Sequence, residues 1–257
     1  MICPDCNNSQ FQAVKCSDCQ ISLYADHDPD GMKFFTGCRN WALVILLIWL
    51  LVATVLLFPS CGGGSAPYVP PQYNANCPVT GIGDSTMTSN SRHSDGTISR
   101  IFYFENEISG FCNLAVNGST IQFWIDHAPT IHLQKVIISL GINSVKDGSL
   151  SIETVLNQYE TLLNMISADK IYVIGLYPVD QALLYTWYDG GQALTPERVM
   201  SVNNGLFALA LKHGLTFIDT SEFYENGIAK REYTEDGIHP SLIAYQTILQ
   251  KLKGTGL

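Results

Sequence analysis

Residues 136–140 read Val136-Ile137-Ile138-Ser139-Leu140, a short run of mostly branched apolar side chains that predicts a strand buried on both faces. Two similar runs follow it along the chain, at 171–176 and 215–219. Strands buried on both faces are typical of parallel sheets that carry helices on each side. These three runs therefore predict a mainly parallel sheet in the C-terminal part of the chain.

Three further segments place their apolar residues at helical spacing, at 151–167, 196–213 and 240–252. Proline stands near the start of the last two, as Pro196 and Pro240, a position that a helix accepts. Strands that alternate with helices predict an α/β fold with a doubly wound, flavodoxin-like sheet and right-handed crossovers. In such a sheet the active crevice is expected at the carboxyl ends of the strands.

Four short motifs stand at the predicted strand ends or beside the last helix. They are Gly83-Asp84-Ser85, Asn117-Gly118-Ser119, Gly141-Ile142-Asn143 and Asp236-Gly237-Ile238-His239. In this order they resemble the SGNH hydrolases, also called the GDSL esterase/lipase family. The resemblance covers roughly residues 77–254 and implies that residues 77–257 form an α/β domain of SGNH type with a serine esterase activity.

Ser85, His239 and Asp236 supply the three groups that nucleophilic catalysis by serine requires. A serine hydroxyl is a poor nucleophile until a base takes its proton, and a neutral imidazole is suited to that task. An acid three residues before His239 can orient the ring and stabilise the imidazolium. The resemblance implies the nucleophile on Ser85, the base on His239 and the acid partner on Asp236, with no cofactor for catalysis.

The tetrahedral intermediate of such a reaction needs hydrogen-bond donors aimed at its oxyanion. The resemblance implies three of them: the backbone N–H of Ser85, the backbone N–H of Gly118 and the side-chain amide of Asn143. Gly110 is the alternative to Gly118, because the matching stretch around Gly118 is short. Ser144 follows Asn143 where the family often has aspartate, which bears on how Asn143 is held.

Net charge limits the classes of partner. A net charge of −9 and a pI near 5.0 argue against a nucleic-acid partner, since phosphate binding needs clustered Lys and Arg. The chain's expected partners are instead an ester substrate and a membrane.

Residues 41–58 carry no charge and predict one transmembrane helix; a buried core helix or the apolar region of a signal peptide is the alternative. Lys33 and Arg39 precede this segment, whereas the next basic residue after it is Arg92. The positive-inside rule then predicts a single-pass protein of the cytoplasmic (inner) membrane. Its N-terminus is expected in the cytoplasm and its hydrolase domain outside, in a periplasmic or extracellular location.

The first 22 residues hold two Cys-x-x-Cys pairs, formed by Cys3 with Cys6 and by Cys16 with Cys19. Four thiolates at this spacing predict a tetrahedral structural zinc site, and the segment resembles a short zinc ribbon. Free or redox-active thiols are the alternative. The ribbon is expected to be a purely structural module or to dock a cytoplasmic protein partner, with 23–40 as a juxtamembrane segment.

Residues 59–76 are rich in glycine and proline and predict a linker between the membrane helix and the hydrolase domain. Cys61 in this linker could be lipidated or could form an intermolecular disulfide. Cys77 and Cys112 are the only cysteines of the outer domain, and an oxidising compartment favours a disulfide between them. Buried free thiols are the alternative.

These features together predict a membrane-anchored serine ester hydrolase that forms an acyl-Ser85 intermediate. Its expected substrates are O-acyl groups on glycans, O-acetyl groups first, or lipid esters. Tyr177, Tyr185, Trp187 and Tyr188 surround the loop after the fourth predicted strand and suit either stacking on a sugar or covering a core edge. Two other functions remain open: acyl transfer to a glycan hydroxyl by the same site, and a non-catalytic membrane-tethered binding or scaffold module.

Overall fold

A parallel sheet of five strands organises the C-terminal part of the chain. The structure is a computed structural model, which describes residues 71–92, 98–100, 103–185 and 193–257. The sheet strands are β1 (Val79–Gly83), β4 (Phe111–Asn113), β5 (Leu133–Ser139), β6 (Ala168–Ile174) and β7 (Thr216–Ile218), in the order β4-β1-β5-β6-β7. Counted along the chain this is the flavodoxin-like order, whose topological switch lies between β1 and β5. The predicted parallel α/β fold is confirmed.

Helices cover both faces of this sheet. They are α1 (Tyr103–Glu107), α2 (Ile121–Asp126), α3 (Ile142–Lys146), α4 (Ile152–Met165), α5 (Gln181–Leu184), α6 (Pro196–His213) and α7 (Leu242–Gly254). Side chains alternate across β5, so that Val136 and Ile138 join the core shared with α2, α4 and α6, while Ile137 joins the core shared with α1 and α7. Each face of the sheet thus has its own apolar core.

Local signals account for several helix boundaries. Ser151 and Thr195 cap the amino ends of α4 and α6, and Gly214, with φ of 65°, ends α6 in the left-handed conformation. The prediction of a helix from Pro240 was two residues early, because Ser241 is the N-cap of α7 and its hydroxyl accepts from the N–H of Ala244. β5 begins at Leu133, three residues before the predicted strand.

Two small antiparallel pairs lie outside the main sheet. β2 (Asn90–Arg92) pairs with β3 (Ile98–Arg100), and β8 (Tyr224–Glu225) pairs with β9 (Ile228–Ala229). The first pair lies in a stretch of mostly polar residues. Short polar strands lack the alternation that marks a buried strand, so periodicity does not detect them.

A disulfide joins Cys77, which precedes β1, to Cys112 in β4. The two cysteines are 35 residues apart, and the loop that they close contains β1, the turn with Ser85, β2 and β3. Tyr73, in the predicted linker, already belongs to the folded part, since its hydroxyl donates to the carbonyl of His127 at 2.7 Å.

The predicted zinc ribbon at 1–22, the juxtamembrane segment at 23–40, the membrane helix at 41–58 and the linker up to residue 70 lie outside the described residues. Among the helices that are described, none combines the length and the apolar character that a membrane span requires. Within the same residues, no three His, Cys, Asp or Glu side chains are grouped so that they could hold a metal ion.

Candidate active site

Ser85 lies in a tight turn at the carboxyl end of β1. The turn passes so close to β5 that a Cβ on Gly83 would stand 2.3 Å from the carbonyl oxygen of Ser139, so only glycine fits. The N–H of Asp84 donates to that same carbonyl at 3.1 Å. These contacts fix the backbone on which the partly buried Ser85 side chain is carried.

The structure brings Ser85, His239 and Asp236 into one line of contacts. Nε2 of His239 is 3.0 Å from Oγ of Ser85, and Nδ1 of His239 is 2.7 Å from Oδ2 of Asp236. An ionised carboxylate only accepts, so Nδ1 carries the ring proton and Nε2 presents a lone pair to the Ser85 hydroxyl. This arrangement can take a proton from Ser85.

Asp236 is held in its ionised form although it is buried, with 3% of its side chain exposed. Burial by itself raises the pKa of this carboxyl, but the hydrogen bond from His239, the attraction of that ring when it is protonated and two backbone amides outweigh it, so the pKa lies below its ordinary value. The two amides are those of Ile238 and His239, which donate to Oδ1 at 3.0 and 2.8 Å. A carboxylate in this state can stabilise an imidazolium on His239.

The loop that carries Asp236 and His239 depends on Gly237. Its φ is 93°, and a Cβ there would stand 2.5 Å from the carbonyl oxygen of Asp180. Thr234 closes the loop, because its hydroxyl accepts from the N–H of Gly237 and donates to the carbonyl of His239, both at 3.0 Å. The base is therefore presented by a backbone that is held from two sides.

Asn143 stands in the first turn of α3, immediately after the carboxyl end of β5. Its side-chain amide donates one hydrogen to the carbonyl oxygen of Ser119 at 3.0 Å. Among the described residues the second amide hydrogen has no partner, which leaves it for a ligand. Ser144, in place of the aspartate expected from the resemblance, is buried and accepts from the N–H of Ile121 at 3.0 Å, which ties α3 to the start of α2.

Gly118 occupies the third position of a turn closed by a hydrogen bond from the N–H of Ser119 to the carbonyl of Val116. Its φ of 74° is the conformation that favours glycine at this position of a type II turn. Gly110, the alternative, precedes β4, where a Cβ would meet Pro78 ahead of β1. Gly118 therefore follows β4 on the side of the sheet where Ser85 lies, and Gly110 is at the opposite end.

Asp84 is a site residue to which sequence reasoning assigned no role. It is fully buried, and its Oδ1 accepts from the N–H and the hydroxyl of Thr86 at 2.9 and 2.8 Å, while its Oδ2 accepts from the N–H of Gly141 at 3.2 Å. Burial raises the pKa of Asp84, and the hydrogen bonds from Thr86 and Gly141 counteract only part of that effect. The side chain ties the Ser85 turn to the segment that leads into Asn143.

Thr88 and Asn117 form a second unforeseen connection. The hydroxyl of Thr88 lies 2.8 Å from Oδ1 of Asn117 and 3.0 Å from the carbonyl oxygen of Ser85. It therefore links the Ser85 turn to the residue before Gly118. Contacts of this kind carry no local sequence pattern, because the partners are far apart along the chain.

A second set of Ser, His and Asp side chains lies on the surface. His132 contacts Ser167 at 2.8 Å through Nδ1 and Asp169 at 2.9 Å through Nε2. The His132 and Asp169 side chains are 57% and 70% exposed, against 13% for His239. Water competes for the hydrogen bonds of an exposed set, so the buried set is the better candidate for catalysis.

The aromatic residues proposed as a sugar platform separate in the structure. Tyr177 is buried, with 2% exposed, and stacks on Phe223, so it covers a core edge. Tyr185 is 44% exposed, whereas Trp187 and Tyr188 lie outside the described residues. Of the described pair, only Tyr185 is available to a ligand.

The sequence that forms this site also matches a known protein family. A family model described as the GDSL-like lipase/acylhydrolase family matches residues 82–247. The matched range contains Ser85, Gly118, Asn143, Asp236 and His239. No curated protein matches the sequence.

Three solved bacterial structures share the fold. A protein from Streptococcus pneumonia, described as a platelet activating factor, is 18% identical over 83% of this chain and 97% of its own, with a TM-score of 0.55. A lipase/acylhydrolase from Enterococcus faecalis is 18% identical over 69% of this chain and 96% of its own, with a TM-score of 0.50. A GDSL-like lipase from Bacteroides thetaiotaomicron is 16% identical over 74% of this chain and 93% of its own, with a TM-score of 0.50.

Proposed function

The chain belongs to the GDSL-like lipase/acylhydrolase family and is an ester hydrolase, and from this premise we propose that it cleaves carboxylic esters through an acyl-Ser85 intermediate. One observation carries the proposal: the buried series of contacts from Asp236 through His239 to Ser85, at 2.7 and 3.0 Å. These are the distances at which a base activates a serine and is itself oriented by an acid.

In the proposed reaction, Oγ of Ser85 attacks the carbonyl carbon of the ester while Nε2 of His239 takes the hydroxyl proton. Asp236 stabilises the resulting imidazolium, which then gives its proton to the oxygen of the departing alcohol as the C–O bond breaks. A water molecule, deprotonated by His239, attacks the acyl-Ser85 ester and releases the carboxylic acid with Ser85 restored. The proton transfers in these steps use the side chains of Ser85 and His239 and one water molecule.

The oxyanion of both tetrahedral intermediates is bound, in this proposal, by the backbone N–H groups of Ser85 and Gly118 and by the amide of Asn143. The hydrogen bond from Asn143 to Ser119 supports this assignment, because it fixes the amide and leaves one hydrogen available. The positive φ of Gly118 supports it as well, since a glycine lets a substrate approach the backbone closely.

We further propose that residues 41–58 anchor the hydrolase domain outside the cytoplasmic membrane and that Cys3, Cys6, Cys16 and Cys19 hold a structural zinc ion on the cytoplasmic side. The basic residues before the apolar segment support this orientation. The Cys77–Cys112 disulfide supports it too, since disulfides persist in oxidising compartments. Protease added to intact cells, or to spheroplasts where the cells have an outer membrane, should cleave the outer domain; cleavage only after rupture of the cytoplasmic membrane would reverse the orientation.

Substrates of a hydrolase in this location are proposed to be O-acyl groups of surface glycans, with O-acetyl groups first and lipid esters second. The location supports this order. A panel of acetyl, butyryl and long-acyl esters, with an acetylated glycan, would rank them. Analysis of the products with and without a free sugar acceptor separates hydrolysis from acyl transfer, because transfer yields a new glycan ester instead of free acid.

Replacing Ser85 with alanine in the full-length protein tests the central proposal. The expected result is a loss of p-nitrophenyl ester hydrolysis on the order of 10⁵- to 10⁶-fold, together with loss of labelling by a fluorophosphonate. Ser167→Ala is the matched control, since Ser167 also contacts a histidine but in the exposed set. Unchanged hydrolysis in Ser85→Ala, or an equal loss in Ser167→Ala, would reject the acyl-Ser85 mechanism. If the fluorophosphonate does not label the parent protein and a tightly bound partner co-purifies with it, the chain would be a binding module instead.

A further inference from the structure

The nucleophile and the base of this site are carried by different elements. Ser85 follows β1, in the sheet, whereas His239 stands in the loop that leads into α7, which packs on one face of the sheet. The packing between α7 and the sheet is apolar. Apolar contacts are not directional, so they constrain the distance between two particular polar atoms less closely than a hydrogen bond does. The 3.0 Å distance between Nε2 of His239 and Oγ of Ser85 therefore calls for a directional contact between the two elements.

Tyr245 provides a directional contact between the same two elements. It lies in the first turn of α7, and its hydroxyl donates to the carbonyl oxygen of Thr86 at 2.8 Å. Thr86 is the residue after Ser85. This hydrogen bond joins positions 159 residues apart and runs beside the contact between Ser85 and His239, whose residues are 154 apart.

The Tyr245 ring is itself held in place. The side chain is fully buried, and its ring contacts those of Tyr103, Phe104 and Tyr177, with centroids 6.3, 5.5 and 6.2 Å away. Burial and the neighbouring Tyr177 raise the pKa of Tyr245 well above its ordinary value, so the hydroxyl keeps its proton and remains a donor.

From these contacts we propose that Tyr245 is a positioning residue, which holds the Ser85 turn at hydrogen-bonding distance from His239. The proposal rests on the proposed function, since it concerns the same nucleophile and base. On the β5 side, the turn is held by Asp84 and by Ser139, whose hydroxyl is 2.8 Å from that of Thr86. Tyr245 holds the Ser85 turn from the side of α7, the helix that follows His239.

The test is Tyr245→Phe in the full-length protein, which removes one oxygen and keeps the ring. We expect kcat per active site, counted by fluorophosphonate titration, to fall about tenfold, because small displacements of reacting groups are costly. KM should change by less than about twofold, since no substrate contact is removed. The rate constant for fluorophosphonate labelling should fall in parallel with kcat, because labelling also depends on activation of Ser85.

Tyr172→Phe is the matched control. Tyr172 is fully buried in the same apolar core as Tyr245, and its hydroxyl has no hydrogen-bond partner among the described residues. Its replacement should leave kcat, KM and the labelling rate unchanged. A lower Tm and a smaller titratable fraction in Tyr245→Phe, with kcat per titrated site unchanged, would mean a merely structural role and would overturn the proposal.

A second pair of variants covers the case in which Tyr245→Phe does not fold. p-Aminophenylalanine and p-methylphenylalanine at position 245 have substituents of similar size, but only the first is a donor. We expect the variant with the amino group to retain most of the parent kcat. The variant with the methyl group should show the same fall in kcat that is expected for Tyr245→Phe. Equal kcat in the two would overturn the positioning role while leaving the Ser85→Ala result, and with it the proposed function, unaffected.

Discussion

Replacing Asn143 with alanine is expected to lower kcat by about 10²- to 10³-fold and to leave KM nearly unchanged. Nδ2 of Asn143 donates one hydrogen to the carbonyl oxygen of Ser119 at 3.0 Å, so the side-chain amide is fixed before the substrate binds. One preorganised oxyanion donor contributes about 2.7–4 kcal/mol, and each 1.36 kcal/mol is tenfold in rate. The carbonyl of a bound ester carries less charge than the oxyanion, so binding depends little on this donor.

The assay measures kcat and KM with a p-nitrophenyl ester, with active sites counted by complete fluorophosphonate labelling. Asn143→Asp should be at least as slow as Asn143→Ala, because the carboxylate donates nothing and repels both the oxyanion and the Ser119 carbonyl. Asn203→Ala is the control, because Asn203 also holds a backbone segment through its carboxamide but lies outside the site. Its Oδ1 accepts from the N–H of Leu176 at 2.7 Å, and its Nδ2 donates to the carbonyl oxygen of Leu176 at 3.0 Å. Asn203→Ala should lower stability and keep kcat. A loss in Asn143→Ala of less than about threefold, or an equal loss in Asn203→Ala, would refute the oxyanion role.

Two other predictions concern stability. Removing the disulfide by Cys77→Ser with Cys112→Ser should lower the free energy of unfolding by about 4 kcal/mol, from the loop-entropy relation for a separation of 35 residues, as measured by guanidinium denaturation; a loss below about 1 kcal/mol would contradict it. The pKa of Asp236 is lowered in the folded state, so its ionisation stabilises the fold above its ordinary pKa of 3.8 and that contribution disappears as the pH falls through the folded pKa. The difference in unfolding free energy between the parent and Asp236→Asn, measured in urea, should therefore be constant near neutral pH and shrink below pH 3.8; a difference that grows in acid would be inconsistent with it. The pKa of Asp84 is raised, so its effect on the pH dependence of stability has the opposite sign. Asp84 is present in both proteins, so this effect cancels in the difference.

Features that a short stretch of sequence determines were predictable. Three apolar runs indicated β5, β6 and the edge strand β7. The positions of four motifs, at strand ends or beside the last helix, indicated which side chains would meet at one edge of the sheet. The predicted bounds of α6, 196–213, agree with the structure, where Thr195 caps the start of the helix and Gly214 its end, because caps act within one turn. Each of these signals is local, and the parallel sheet then brings the separate motifs together.

The connections that hold the site could not be predicted in the same way. The bond from Tyr245 to Thr86 and the contact between Thr88 and Asn117 join residues 159 and 29 positions apart, and neither side chain stands out in its own segment. Asp84 was visible in its motif, yet its role depends on the N–H of Gly141, 57 residues away. Such roles follow from how the layers pack, which no local periodicity encodes.

The loop closed by Cys77 and Cys112 also determines how the domain responds to proteolysis. A single backbone cut anywhere between these cysteines leaves both pieces in one covalent molecule. On a gel without reductant such a nicked protein should migrate with the intact chain, and with reductant it should separate into two fragments. Because Ser85 lies inside the loop and His239 outside it, the nicked form still contains both reacting groups. Protease experiments that map the orientation of this domain should therefore be analysed under reducing conditions.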